Sequence, residues 1–470
     1  MHAGLDVYEH YANENDYPDL DVAGAAKRLS AAIRCKTIDL GDDTDPEPYQ
    51  KLHELIRTSF PHVMAAATIE EMGLDLLITI PGSNPALDAA LLLAHQDVVP
   101  AQDSPAWEHG PFEGYRDERY IWGRGALDIK DMLTGELEAL EYLLSHGRRP
   151  QRTVILAFGH DEETISRGAT ALAAELKARG VRAAWLLDEG TTTMFDGASW
   201  GAPGIAISDI CVSQKGFLNV LLTAPGSGGH SSNPFGGTSL EHMARAITAI
   251  SDEMPGPLLN DVMRETFRAL APCITEEPLK SLVQDVDANA DQIARLASGR
   301  RELYPFVATT MAADMLEGGS AAPNVMPGDV TSILNFRLLP GTTAEDVMAV
   351  VNRALSKSGT DVTARAIHET PAGRQDSDQG AGYAELKEAL EHFYKDMLVV
   401  PCFVCGGTDA IRYEGVCDSV LRITPFRPTP EEESEGVHGT NERISRRTYA
   451  QGIRVLIRLL ESTSFAGASL

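Results

Sequence analysis

Apolar residues fall along this chain in two kinds of run. Short, nearly continuous runs bounded by polar or turn residues lie at 89–94, 154–158 and 183–187, the form expected of buried strands in an α/β sheet. Between the first two, Met132, Leu133, Leu137, Leu140 and Leu144 recur at helical spacing, and Gly147 follows as a C-cap signal. A further helix is predicted over 169–178, again closed by a glycine, Gly180. Alternation of strand and helix in this order predicts an α/β sheet.

The pattern changes near Val212. Strands are predicted at 217–224, 330–338 and 362–367, with helices at 239–251 and 344–355 and an irregular acidic stretch at 252–305. Two strand–helix–strand passages on one antiparallel sheet predict a small α+β, ferredoxin-like domain inserted into the larger one. After Pro371 the α/β character resumes, with a helix at 382–394, a strand at 421–424 and a long helix at 444–460. The expected division is a larger α/β domain formed by 1–212 and 371–470, with the smaller domain inserted at 213–370. The first 25 residues, acidic and aromatic, are expected to wrap the surface.

Composition narrows the function. Of 470 residues, 43% are hydrophobic and 23% charged, enough for a real core. Forty Lys+Arg against 68 Asp+Glu give a formal charge of −28, which argues against nucleic-acid backbones and anionic membrane surfaces, both of which need basic patches. No apolar run approaches the ~18 residues of a membrane helix, the start has neither a basic nor an apolar signal region, and six cysteines make no disulfide framework. Cys402 and Cys405 read as buried thiols. A cytoplasmic protein is expected.

Histidines and carboxylates recur where strands end, the edge at which open α/β sheets place their sites. The run at 89–94 leads into His95, with Asp97 two residues on and so on the same face of an extended chain. Gly123-Arg124-Gly125 precedes Asp128 and Lys130 just before a helix, where Asp128 also reads as a cap. Asp161, Glu162 and Glu163 follow another strand, and consecutive acids there are costly unless a cation holds them. Asp188-Glu189-Gly190 ends a third strand, and His438-Gly439-Thr440-Asn441 lies in a late loop. Each cluster has a bland reading as strand-end or loop polarity. Taken together, three carboxylates, a bridging hydroxide and two divalent cations sum to zero charge, with histidines completing the shells, which is the balance of a two-metal hydrolase.

At these residues the sequence resembles the M20 family of co-catalytic metallopeptidases and deacylases, over roughly residues 20–460 and with the motifs in the family's order. The further motif Gly229-His230-Ser231-Ser232 belongs to the same resemblance. It implies two zinc ions per subunit, with cobalt or manganese as substitutes: His95 and Asp188 on one, Glu163 and His438 on the other, and Asp128 bridging, with Glu189 the alternative to Asp188. Glu162 would be the general base that deprotonates the bridging water and protonates the leaving amine, and Asp97 would orient and tune His95. His230 would stabilise the oxyanion in a partner subunit's site, which implies a homodimer, with 1–212 and 371–470 as the catalytic domain and 213–370 as the lid and dimerisation domain. Asn324 and Arg337 would hold the substrate, Arg337 being suited to a carboxylate, and the turn at Gly406 and Gly407 would contact its carboxylate end. Two departures, Ile129 after the bridging Asp and the run 164–168 without a glycine pair, remove neither ligand nor base.

The resemblance to the carboxypeptidase S and aminoacylase branches implies a carboxypeptidase acting on short or N-blocked peptides. The alternative is an N-acyl-amino-acid deacylase with the same machinery. A third class, a metal-free binding protein on the same fold, would predict loss of ligands or base, and all are present.

Overall fold

The computed structural model describes residues 7–101, 105–191, 195–433 and 436–465. Its backbone is a mixed sheet whose strands run, in spatial order, Thr68–Met72, Asp75–Ile80, Val154–Gly159, Ala89–His95, Ala183–Asp188, Val420–Arg422, Ala206–Gln214 and Met397–Val404, with Phe195–Asp196 paired to Ala206–Gln214. The three central strands that end at His95, Gly159 and Asp188 are mutually parallel. Every residue of Ala89–His95 and Val154–Gly159 is buried, as in a sheet covered on both faces.

Helices Lys130–Ser145 and Arg446–Thr463 pack against each other on one face, beside Val22–Ile33 and Tyr383–Phe393. The last helix starts two residues later than its apolar pattern predicts, because Arg443–Ser445 pairs with Tyr120–Trp122 and Ser445 then accepts the Thr448 N–H as N-cap. The acidic N-terminus contributes to the core: Val7 and Tyr11 are buried, and the Tyr11 hydroxyl donates to the Arg427 carbonyl at 2.9 Å.

A second sheet has the order Thr310–Glu317, Val330–Leu338, Gly216–Ala224, Thr363–Thr370, all antiparallel. Gly216–Ala224 and Val330–Leu338 alternate strictly between buried and half-buried positions. Their buried rows join helices Ser239–Glu253 and Ala344–Ser358 in a separate apolar core. Strand, helix, two strands, helix, strand in this spatial order is the ferredoxin-like arrangement. The acidic stretch that separates the first helix of this unit from Thr310–Glu317 folds elsewhere: helices Asp261–Leu270 and Ala290–Ser298 place Met263, Phe267, Leu270 and Ile293 in the core of the large sheet. Part of the segment 213–370 thus packs with the larger body. Among the described residues no helix is long and apolar enough to cross a membrane.

Candidate metal centre

Three strand ends and two loops converge at the carboxyl edge of the parallel strands. His95 is the last residue of its strand, and Glu162 and Glu163 follow the strand ending at Gly159. Asp188 and Glu189 close the third. The pairing of Tyr120–Trp122 with Arg443–Ser445 draws the loop carrying Asp128 beside the loop carrying His438. The Glu442 carboxylate then ties the two loops together. It accepts the Gly125 and Leu127 N–H groups at 3.0 and 2.9 Å and a close ion pair from Arg124, whose other nitrogen donates to the His438 carbonyl at 2.9 Å.

The two histidines meet on Asp128. His95 Nε2 lies 3.0 Å from Asp128 Oδ1, and His438 Nε2 lies 2.9 Å from Asp128 Oδ2 and 3.1 Å from Glu163 Oε1. His95 Nε2 is also 3.7 Å from Glu189 Oε1. The Asp97 carbonyl, which can only accept, lies 3.0 Å from His95 Nδ1 and leaves Nε2 facing the carboxylates. Asp97 has a second task that its sequence position does not reveal: its carboxylate accepts the N–H groups of Glu162 and Glu163, at 3.2 and 3.1 Å, and so fixes the acid pair.

Two donors about 2.1 Å from one ion at a tetrahedral angle stand about 3.4 Å apart. The four donor separations bracket that value. His95, Asp128 and Glu163 hold donor atoms within 4.8 Å of one another, as do His95, Glu162 and Glu189. Four carboxylates around two imidazoles also need positive charge. Burial drives the Glu162 carboxyl well above its ordinary range, with Asp409, Asp128 and Glu163 adding to the rise against a counter-pull from His95. Burial also raises Glu189 well above it, with Asp128 adding. Hydrogen bonds to Asp128 and Glu163 push His438 up to about 10. Burial pushes the Asp128 carboxyl up, but its bonds to the two histidines outweigh that and hold it below the ordinary range. Such a cluster takes up positive charge as protons or as divalent cations, and its nitrogen and oxygen donors suit first-row metals.

Asp188 does not join this group. Its Oδ2 accepts the Ala410 N–H at 2.7 Å and its Oδ1 the Glu189 N–H at 2.9 Å, so both oxygens are taken up by backbone and the neighbouring Glu189 reaches His95 instead. Successive side chains at a strand end point to opposite faces, and the strand's exit decides which of the two meets the histidine.

A pocket of about 330 Å³ opens from the acid pair toward the small sheet, lined by Glu162, Glu163, Phe217, Arg337, Gly407 and Thr408 among others. Gly406 is exposed beside Gly407. Asn324 and His230 lie elsewhere. His230 is exposed and bridges Val325, beyond the end of the small sheet where Ala224 pairs with Val330. Arg337 pairs with Phe217 at the opposite end, seven residues or about 23 Å along the strand. Within one chain, therefore, Arg337 is brought to Glu162 and His230 is not. Gln214, Lys215, His368 and Arg412 also line the pocket. Gln214 and Lys215 sit where the chain crosses between the two sheets, His368 in the strand Thr363–Thr370 and Arg412 on the short helix Asp409–Tyr413, and no motif marked them.

The chain matches the family model described as peptidase family M20/M25/M40 over residues 91–462. It is 29% identical over 444 residues to the N-fatty-acyl-amino acid synthase/hydrolase PM20D1 of Mus musculus, covering 92% of this chain and 86% of that protein. The protein of Dictyostelium discoideum named "Probable carboxypeptidase S-like 2" is 28% identical over 452 residues, covering 93% and 85%. The solved structure of the M20 family metallo-carboxypeptidase Sso-CP2 of Sulfolobus solfataricus superposes with a TM-score of 0.69 at 19% identity, over 93% of this chain and 98% of that one. With the model match extending over most of its length, this chain belongs to the M20/M25/M40 family of peptidases and is a metal-dependent hydrolase.

Proposed function

We propose that this protein hydrolyses the amide bond next to a free carboxylate, as a carboxypeptidase on short or N-blocked peptides. The observation that carries the reading is one pocket lined by both the Glu162–Glu163 pair and Arg337, the two fixtures that a scissile amide beside a carboxylate requires. His95, Glu189 and Asp128 would hold one divalent ion and Asp128, Glu163 and His438 a second, with zinc the first choice for this donor set. When bound, the ions would polarise the carbonyl and lower the pKa of water.

Glu162 takes a proton from the attacking water and passes it to the leaving nitrogen, a role suited to a carboxyl whose proton affinity burial has raised. Asp97 keeps Glu162 in place through its backbone. Arg337 holds the substrate carboxylate by a two-pronged contact, and the Gly407 turn limits the space beside it. His230 and Asn324 would serve the site of a second copy, with the small sheet as lid and dimerisation surface. Their distance from Arg337 along the strands supports that arrangement. The cytoplasm is the proposed compartment.

The second reading, hydrolysis of N-acyl amino acids, is favoured by the full-length similarity to N-fatty-acyl-amino acid hydrolases. Amino-acid release from a mixed panel of blocked dipeptides, N-acetyl amino acids and long-chain N-acyl amino acids, read by mass spectrometry, separates the two. Release mainly from the dipeptides is expected. Release mainly from the acyl amino acids would replace the first reading by the second.

A further inference from the structure

The pocket beside the acid pair carries more cationic groups than one substrate carboxylate uses: Lys215, Arg337 and Arg412 all line it. Among the described residues Arg337 makes no ion pair, its guanidinium standing 4.9 Å from the centre of the Phe217 ring. Arg412, on the helix after the Gly406-Gly407 turn, lines the same pocket and also makes no ion pair or hydrogen bond among the described residues, its Nε buried without a partner. This stands out in a chain with 68 acidic residues against 40 basic ones, where Arg57, Arg124, Arg179 and Arg268 all meet carboxylates. Gln214 adds a donor. Its Oε1 accepts both the Thr408 hydroxyl at 3.0 Å and Arg422 Nε at 2.9 Å, so its Nε2 amide hydrogens are the ones left for the pocket. Lys215 spends one ammonium hydrogen on the Ala308 carbonyl at 2.7 Å and keeps two.

We infer that the pocket takes a leaving amino acid with two carboxylates, Arg337 holding the α-carboxylate and Arg412 with Gln214 holding the side-chain carboxylate of a glutamate or aspartate. The inference rests on the proposed amidohydrolase reading and names its substrate class. The second anion belongs to the leaving side of the bond because Gln214, which meets Thr408 and stands against Gly407, lies three residues before Phe217, on whose ring Arg337 rests. In the reaction, the water oxygen adds to the acyl carbon and the C–N bond breaks. One water proton reaches the leaving nitrogen through Glu162, and a carboxylic acid and the free acidic amino acid depart, with nothing oxidised or reduced.

The test compares kcat/KM of the zinc-loaded enzyme on N-acetyl-alanyl-X and N-acetyl-X, with X as glutamate, glutamine or leucine. Glutamine keeps the shape of glutamate and removes the charge. Glutamate is expected to exceed glutamine by about tenfold or more, or about 1.4 kcal/mol. In Arg412→Met that ratio should fall toward one, and in Arg412→Lys it should be partly kept. Equal or better turnover of glutamine by the native enzyme would overturn the inference, as would an unchanged ratio in Arg412→Met. Release from glutamine and leucine substrates without preference for glutamate overturns only this inference and leaves the hydrolase reading intact. Release from none of the six, with metal bound, rejects that reading and this inference with it.

Discussion

Asp188 ends its strand with both carboxylate oxygens accepting backbone N–H groups, while Glu189 turns toward His95. Two substitutions follow from that division. Glu189→Gln should weaken binding of one of two metal ions by about 10–100-fold, visible as a lower metal-to-protein ratio after dialysis. Asp188→Asn should keep the ratio and lower unfolding free energy by about 1–3 kcal/mol, because an amide sets its own N–H against one of the two it must accept. The reverse pattern would restore Asp188 as the ligand. Asp97→Asn loses one of the two acceptors that fix Glu162 and Glu163. It should cut kcat about 10–100-fold with folding and metal content retained. His95, Asp128, Glu162, Glu163 and His438 were legible as strand-end and loop clusters because imidazole and carboxylate in such numbers have few other uses. The choice between Asp188 and Glu189 was not, since it turns on one half-step of a strand's pleat. Arg412 and Gln214 stayed hidden for another reason: a single polar residue at a domain crossing carries no pattern.

Elements were legible by two signals. The strands at 217–224 and 330–338 and the helix near 344–355 bury one side and show it in their pattern, whereas the strands at 89–94 and 154–158 were read from continuous apolar runs and the helix near 132–144 from apolar spacing, although all three are buried nearly throughout. Ala206–Gln214 and Met397–Val404 went unrecognised. The first is buried throughout yet holds Ser208, Asp209, Ser213 and Gln214, and the second carries Pro401 in its middle. Helix Asp261–Leu270 has a clear apolar face, but an apolar face does not name its partner, and this one lies on the large sheet rather than the small one. Close packing of elements also makes a prediction. A Cβ on Gly452 would stand 2.0 Å from Phe426, whose ring also lies against Gly135 of the facing helix. Helix propensity favours alanine there by about 1 kcal/mol, whereas overpacking costs about 1–3 kcal/mol. Gly452→Ala should therefore lower the denaturation midpoint, and a raised midpoint would mean that the ring yields freely.

For the whole molecule, the separation of His230 from Arg337 predicts cooperation between copies. His230→Ala and Glu162→Gln should each be nearly inactive. Mixing them after dissociation should restore about a quarter of native activity, since half of randomly formed dimers are mixed and each mixed dimer carries one intact site. No rescue in verified mixed dimers would remove the trans role. Family and two-domain architecture were legible because six motifs in order leave little freedom. The choice of zinc rests on the donor set and on the family resemblance. The proposal that the half-buried Glu162 carboxylate runs hydrolysis at a metal centre is tested most directly by one comparison, kcat for native protein and Glu162→Gln, both zinc-loaded to equal metal content. The account predicts a loss of about 10²–10⁴-fold with metal stoichiometry and melting behaviour unchanged. Native turnover by Glu162→Gln at full metal content would contradict it.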